Sequence, residues 1–462
     1  MTVDLVIKNG TIYSAHDSLR AGIAVNDEKI VAIAKEPNLP KADKTIDASG
    51  KVIIPGYIDL HAHIRDLETA YKDDYEHASK AAAAGGITMH VDMPNVKPPT
   101  NTVERFIDKK ENYAEGHCTV DFNMFPSASI VEEIPKLNNL GILGYKIFMI
   151  VDSKRDYPHM PGIGITDLGH LLDIFKNVQK TGLPVIVHPH NMELQDYIEK
   201  EIWAELGTDP MAYFEAGLRY DSLMRNLSAS NCIQIAEATG VRLQITHCGK
   251  SKMIDMVRQA KAAGMTNLTA DAHAHMVTMT KEIVEKLGPL ALGGGTKPED
   301  REASWRGFND GTIDMLTSEH SPHSQEEKKA GWEDMWKVPG GVGSALQETL
   351  PLMLNHINNG RTSLNKLVEL TSLNPAKVFG LYPKKGVIQI GSDADLTIID
   401  MKKEDVIRNE NCYSKCGYSC YDGIKVKGVP IYTICRGTVV MKDGDITVKP
   451  GYGKFQPRLG WK

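Results

Sequence analysis

The chain has 462 residues, 42% of them hydrophobic and 24% charged, with a formal net charge of −6. That is enough for one large domain plus a small one, and the negative balance gives no electrostatic footprint for nucleic acid or an anionic membrane. No apolar run approaches the roughly 20 residues needed to span a bilayer. The opening MTVDLVIKNG has neither a basic n-region nor an apolar h-region, so no signal peptide is expected. The seven cysteines are scattered, and Cys412, Cys416 and Cys420 are spaced four apart, which suits neither a C-x-x-C zinc site nor a disulfide framework. They read as reduced thiols of a cytoplasmic protein.

In chain order, residues 1–54 read as short strands and turns, including a hairpin signal at Asn9-Gly10. Residues 386–462 begin with similar strand-like runs up to about 445. Neither end is long enough for a stable sheet domain of its own, so the two are expected to pair into one small β-sandwich. The middle, residues 55–385, alternates short β runs with helical patterns. The β runs fall at 57–61, 88–93, 120–125, 145–149, 184–188, 242–247, 267–273 and 314–320. Helices at 75–84 and 253–263 stop at Gly85-Gly86 and Gly264. Eight β/α units over this length predict an α/β fold, a TIM-type (β/α)8 barrel, whose reactive residues sit at the C-terminal strand ends.

Those ends carry the chemistry. In His61-Ala62-His63, strand alternation sends both imidazoles to one side, a chelating arrangement for a borderline-soft divalent ion. The fourth run carries Lys146 and the fifth ends in His188. The sixth ends in His247, and the eighth ends in Glu319-His320. His273 and His275, in DAHAH, end the seventh, where they either line a pocket or pack. Gly293-Gly294-Gly295 lacks the Lys-Ser/Thr of a phosphate-binding loop and reads as a loop after the seventh strand.

The motifs PGYIDLHAHIRD, AAAAGGITMHVDMPNVKPPT, GYKIFM, VIVHPHN, LQITHCGK, LTSEHSPH and NPAKVFGLYPKKGVIQIGSDADLTIID span nearly the whole chain. Together they resemble the amidohydrolase superfamily, and within it the cyclic amidases: hydantoinases, dihydropyrimidinases, allantoinases and dihydroorotases. The segments GWEDMWKVPGGVGSALQETLPLML and YDGIKVKGVPIYTICRGTVV look most like the L-hydantoinase and allantoinase branches. The resemblance implies that His61 and His63 bind a buried metal, and that His188 and His247 bind a second. Lys146 would bridge the two as a carbamate. Glu319, at the family's aspartate position, would be both ligand and catalytic proton shuttle. Zinc is the expected metal, with manganese or cobalt as alternatives. Two such ions would bring a bridging water near neutrality and polarise the scissile carbonyl. A homo-oligomer, dimer or tetramer, is also implied.

Three departures stand out. The family's Ser/Thr-Asp-His is here Ser318-Glu319-His320, which moves the carboxylate by about 1 Å unless it bends back; a displacement of that size can cost on the order of a hundredfold in rate. His190 stands where relatives often have an acidic residue. Val151 replaces the tyrosine that D-type hydantoinases and dihydropyrimidinases place five residues past the lysine. Arg65, Asn95 and His323 match the positions that hold the substrate's carboxylate in dihydroorotases; Arg65 could instead pair with Asp66 or Asp73. The expectation is a metal-dependent hydrolase opening a hydantoin- or allantoin-type ring. A dihydroorotase-type activity is the close alternative, and a non-catalytic dihydropyrimidinase-like protein a more distant one. A deaminase on the same barrel is disfavoured by Lys146.

Overall fold

The computed structural model describes residues 2–150, 162–291 and 296–461. Val151 and the glycine run at 293–295 lie outside the described residues. Eight parallel strands form the barrel: Tyr57–Ala62, Ile87–Asp92, Asp121–Met124, Tyr145–Phe148, Pro184–His188, Arg242–Ile245, Leu268–His273 and Met315–Thr317. They pair in sequence order as a run of three and a run of five. Parallel bridges Ser127 to Lys146 and Ala62 to His320 close the ring. All eight expected strands are present, within a few residues at each end. The sixth and eighth stop short, so His247 and Glu319 stand on the turns that follow.

Side-chain alternation explains what points inward. Tyr145 and Ile147, Val185 and Val187, Leu243 and Ile245, and Ala270 and Ala272 all join the apolar layer shared with surrounding helices. The residues between or after them, Lys146, Ile186, His188, Gln244, Asp271 and His273, face the other way. Ile186 belongs to a second cluster with Ile58, Leu60, Met89, Val91 and Met315, against which Ala376, Phe379 and Leu381 pack. The helices are capped by local chemistry. Asp74 accepts from the His77 N–H at the start of Tyr75–Ala84, and Gly86 leaves that helix at φ +82°.

Both chain ends build the sandwich. One sheet runs Lys29–Ala34, Gly22–Asn26, Thr2–Lys8, Lys41–Asp47. The other runs Asp445–Ile446, Thr438–Lys442, Lys425–Cys435, Leu396–Val406, Val52–Pro55, Thr11–Tyr13, Ser18–Arg20. The ends meet where Leu396 to Ile399 pair antiparallel with Pro55 to Val52. Leu5, Ile23, Ile53, Leu396 and Ile434 share one core, so neither end could bury its apolar face alone.

A buried ion network ties sandwich to barrel. Lys385 Nζ lies 2.7 Å from Asp121 on the third barrel strand, 2.6 Å from Asp395 and 3.1 Å from Asp393. Arg436 Nε reaches the other oxygen of Asp121 at 3.0 Å. The three carboxylates hold the Lys385 ammonium well above its usual range, against the opposing push of burial. Asp121, Asp395 and Cys435 converge as metal ligands would, but the cation they surround is Lys385.

Candidate active site

At the C-terminal ends of the barrel strands lies a cavity of about 300 Å³, whose wall includes His63, Arg65, Asn95, His188, His247, His273 and Glu319. The Glu319 carboxylate sits 3.0 Å from His61 Nε2, 3.5 Å from His63 Nε2 and 3.4 Å from His247 Nδ1. His247 Nε2 is 3.0 Å from His188 Nδ1. Donor atoms of His61, His247 and Glu319 all fall within 4.8 Å of one another. Arg65, His247 and Glu319 adopt φ of +59°, +58° and +55°, conformations that L-residues hold only when their surroundings enforce them. For Glu319 the enforcing group is Asp59, which accepts from both the N–H and the hydroxyl of Ser318 at 2.7 Å.

The electrostatics suit cation binding. Burial first, then the charge of Lys146, pushes His61 well below the ordinary imidazole range. Burial likewise lowers His63 and His247, with Arg65 and His188 as the next contributors respectively. Neutral imidazoles offer lone pairs. Burial raises the Glu319 carboxyl, opposed by the charges of Lys146, Arg225 and Arg65. Lys146 is fully buried, its Nζ has no hydrogen-bond partner among the described residues, and burial lowers its amine. An orphaned amine beside converging imidazoles and a carboxylate is costly as it stands. As an anionic carbamate it would complete a ligand set for divalent cations. His61, His63, Lys146, His188, His247 and Glu319 therefore fit such ions.

The neighbouring residues are divided by the structure. Asn95 Oδ1 lies 2.5 Å from His63 Nδ1, so it accepts that N–H and leaves His63 Nε2 as the lone-pair nitrogen. Arg65 donates Nε to the Pro322 carbonyl at 3.1 Å and meets His323 at 3.2 Å, a different pairing from the Asp66 or Asp73 alternative. His323 stands behind Arg65, against Lys72 at 3.2 Å, and is not among the described residues lining the cavity. His273 lines the cavity, whereas His275 stacks on Tyr421 and meets its hydroxyl at 2.6 Å. His190 is on the wall, engaged with Gln195.

Sequence reasoning missed the parts played by Asp271, Asp73, Ser414 and the cluster of Arg225, Asp221 and Lys250. Asp271 faces into the barrel, with its Oδ2 2.5 Å from Gln244 Nε2, and burial raises its carboxyl to about 7. Asp73 receives His320 Nε2–H at 2.9 Å while the Ala345 N–H donates to His320 Nδ1 at 3.2 Å. Ser414, from the C-terminal segment, donates to the same Asp73 at 2.5 Å, so the sandwich end of the chain braces the turn bearing Glu319. Arg225, with Asp221 and Lys250, also lines the cavity.

The amidohydrolase family model matches residues 52–440. The chain is 33% identical over 470 residues to the L-hydantoinase of Paenarthrobacter aurescens, covering 99% of each chain. It is 32% identical over 475 residues to the D-hydantoinase of Ralstonia pickettii, covering all of both. The solved L-hydantoinase from Arthrobacter aurescens superposes with a TM-score of 0.92 at 32% identity, over 99% of this chain and 100% of that one. A full-length match in sequence and in structure, on a barrel whose strand ends gather these histidines, places the protein in the amidohydrolase family.

Proposed function

We propose that the protein hydrolyses the ring amide of a cyclic ureide of hydantoin or allantoin type, using two divalent cations. The cations would be held by His61, His63, carbamylated Lys146, His188, His247 and Glu319. The observation that carries this reading is the convergence of His61, His247 and Glu319 donor atoms within 4.8 Å, beside the orphaned Lys146 amine. When bound, the cations, zinc or alternatively manganese or cobalt, would supply Lewis acidity toward the carbonyl and a nucleophile from water. Glu319 takes the proton released on attack and delivers it to the departing ring nitrogen. Burial favours the neutral Lys146 amine, the form that bonds to CO2 with loss of a proton. Asn95 fixes the His63 tautomer. In this reading the barrel, residues 55–385, carries the chemistry, and the sandwich, 1–54 and 386–462, braces it. A cytoplasmic homo-oligomer acting on a small molecule, with no nucleic-acid or membrane partner, belongs to the same reading.

The test is a hydrolysis panel of hydantoin, both hands of 5-substituted hydantoins, allantoin, dihydrouracil and dihydroorotate. Fastest turnover of a hydantoin or allantoin supports the reading. Arg65 on the cavity wall favours dihydroorotate as the second reading, and preferential turnover of that ring would replace the first. Two substitutions extend the test. Lys146→Met removes the lysine that would carry the carbamate ligand, and metal analysis is expected to find less than half the parent's cation content, with ring turnover lost. Asn95→Leu frees the His63 ring, and a chelator titration is expected to show roughly ten- to a hundredfold weaker cation binding.

A further inference from the structure

Arg225 lies in the helix Ser222–Thr239 that follows the fifth barrel strand, and Lys250 follows the sixth strand. Asp221 joins them, accepting from Arg225 Nε at 2.7 Å and meeting Lys250 Nζ at 3.3 Å. All three line the cavity. Lys250 is only 5% exposed. Two cations share one carboxylate here, which leaves the cluster with a net positive charge inside a cavity. Of the other carboxylates on the wall, Glu319 faces the histidines, and Glu199 accepts from Gln195 Nε2 at 2.7 Å. Arg225 Nη1 is enclosed, yet has no hydrogen-bond partner among the described residues. An Arg–Asp pair four residues apart on an open helix face would be solvated and worth little. Facing a cavity, with an unused guanidinium N–H beside a second cation, the same pair is a receptor for an anion.

We propose that Arg225 and Lys250, held by Asp221, form an anion-recognition locus that selects rings bearing a negatively charged substituent such as a carboxylate. This rests on the reading of the cavity as a cyclic ureide site and adds the substituent's chemical class. The locus is separate from Arg65. The fifth and sixth strands stand across the closed barrel from the first, so a ring seated over the histidines would extend its substituent toward Arg225. Arg225 shares the wall of one cavity with Glu319, His247 and His273. Unpaired polar groups in such a locus penalise a neutral substituent.

The experiment compares hydantoin-5-acetate with 5-methylhydantoin, by kcat/KM and by calorimetric binding, on the metal-loaded full chain. The parent is expected to prefer the acetate. Arg225→Met and Lys250→Met should each reduce that preference roughly ten- to a hundredfold, and Arg225→Lys should keep part of it. An unchanged preference in both methionine variants, a parent that favours the methyl ring, or a fall confined to Arg65→Met would overturn the proposal. The binding arm separates the two readings. Acetate-selective binding that is lost in the variants supports the locus even if no ring is turned over. Ring turnover with an unchanged ratio removes the locus and leaves the hydrolase reading standing.

Discussion

Glu319→Gln is expected to lower ring turnover by about 10²–10⁴-fold, the usual worth of a positioned general acid–base group. Glu319→Gln keeps the size and removes the charge and the proton-accepting oxygen, so the fold should survive. Aspartate at the same position is the more informative variant. The family pattern has aspartate here, so a site decayed from that pattern would gain activity from Glu319→Asp. The geometry predicts a loss. Asp59 fixes the Ser318 turn, and from a backbone at φ +55° the glutamate carboxylate already reaches His61 at 3.0 Å and His247 at 3.4 Å. A side chain one methylene shorter withdraws by about 1 Å, at a cost on the order of a hundredfold in kcat. Steady-state kinetics on both variants decide between these outcomes, and a tenfold or larger gain for aspartate would refute this account of position 319.

Lys385→Met should destabilise the protein by roughly 3–5 kcal/mol, the typical consequence of removing one partner from a buried ion network. Lys385 is 1% exposed, and its loss leaves Asp121, Asp393 and Asp395 with one cation fewer. Because the folded state raises the lysine above its unfolded value, the bound proton favours the native state. That contribution is present in full below the ordinary value of about 10.5 and is lost as pH climbs through the raised folded value. Urea unfolding of parent and variant at pH 7 and pH 11 checks both points. The gap between them should be wide at pH 7 and no wider at pH 11; equal stability at pH 7 would show that the network does not hold barrel and sandwich together.

Much of this was legible because a barrel strand buried on both faces reads as a short apolar run, and the residue ending that run is the one the barrel aims at its mouth. His188 could be placed on that basis alone; Lys146 lies within its strand, and its part in the site came from the family resemblance. What could not be read depends on pairings far apart in the chain. Asp73 meets His320 across 247 residues and Ser414 across 341, and Asp121 meets Lys385 across 264. Local pattern carries no information about such partners. Asn95 was expected, from the dihydroorotase resemblance, to hold a substrate carboxylate; its hydrogen bond to His63 required the three-dimensional register of two strands. Asp221 and Arg225 look in sequence like an ordinary helix-surface pair; only closure of the barrel turns that face toward the cavity. The helix at 75–84 was placed to the residue because its aspartate cap and paired glycines act locally.

The measurement that bears most directly on the central claim is the metal content of the purified protein by elemental analysis, paired with ring turnover on the same sample. If the histidines, Lys146 and Glu319 form a binuclear centre, reconstitution with zinc, manganese or cobalt plus bicarbonate should give about two ions per chain and hydrolysis of at least one cyclic ureide. No bound metal and no turnover after that reconstitution would contradict the account and mark Glu319 as the sign of a retired site.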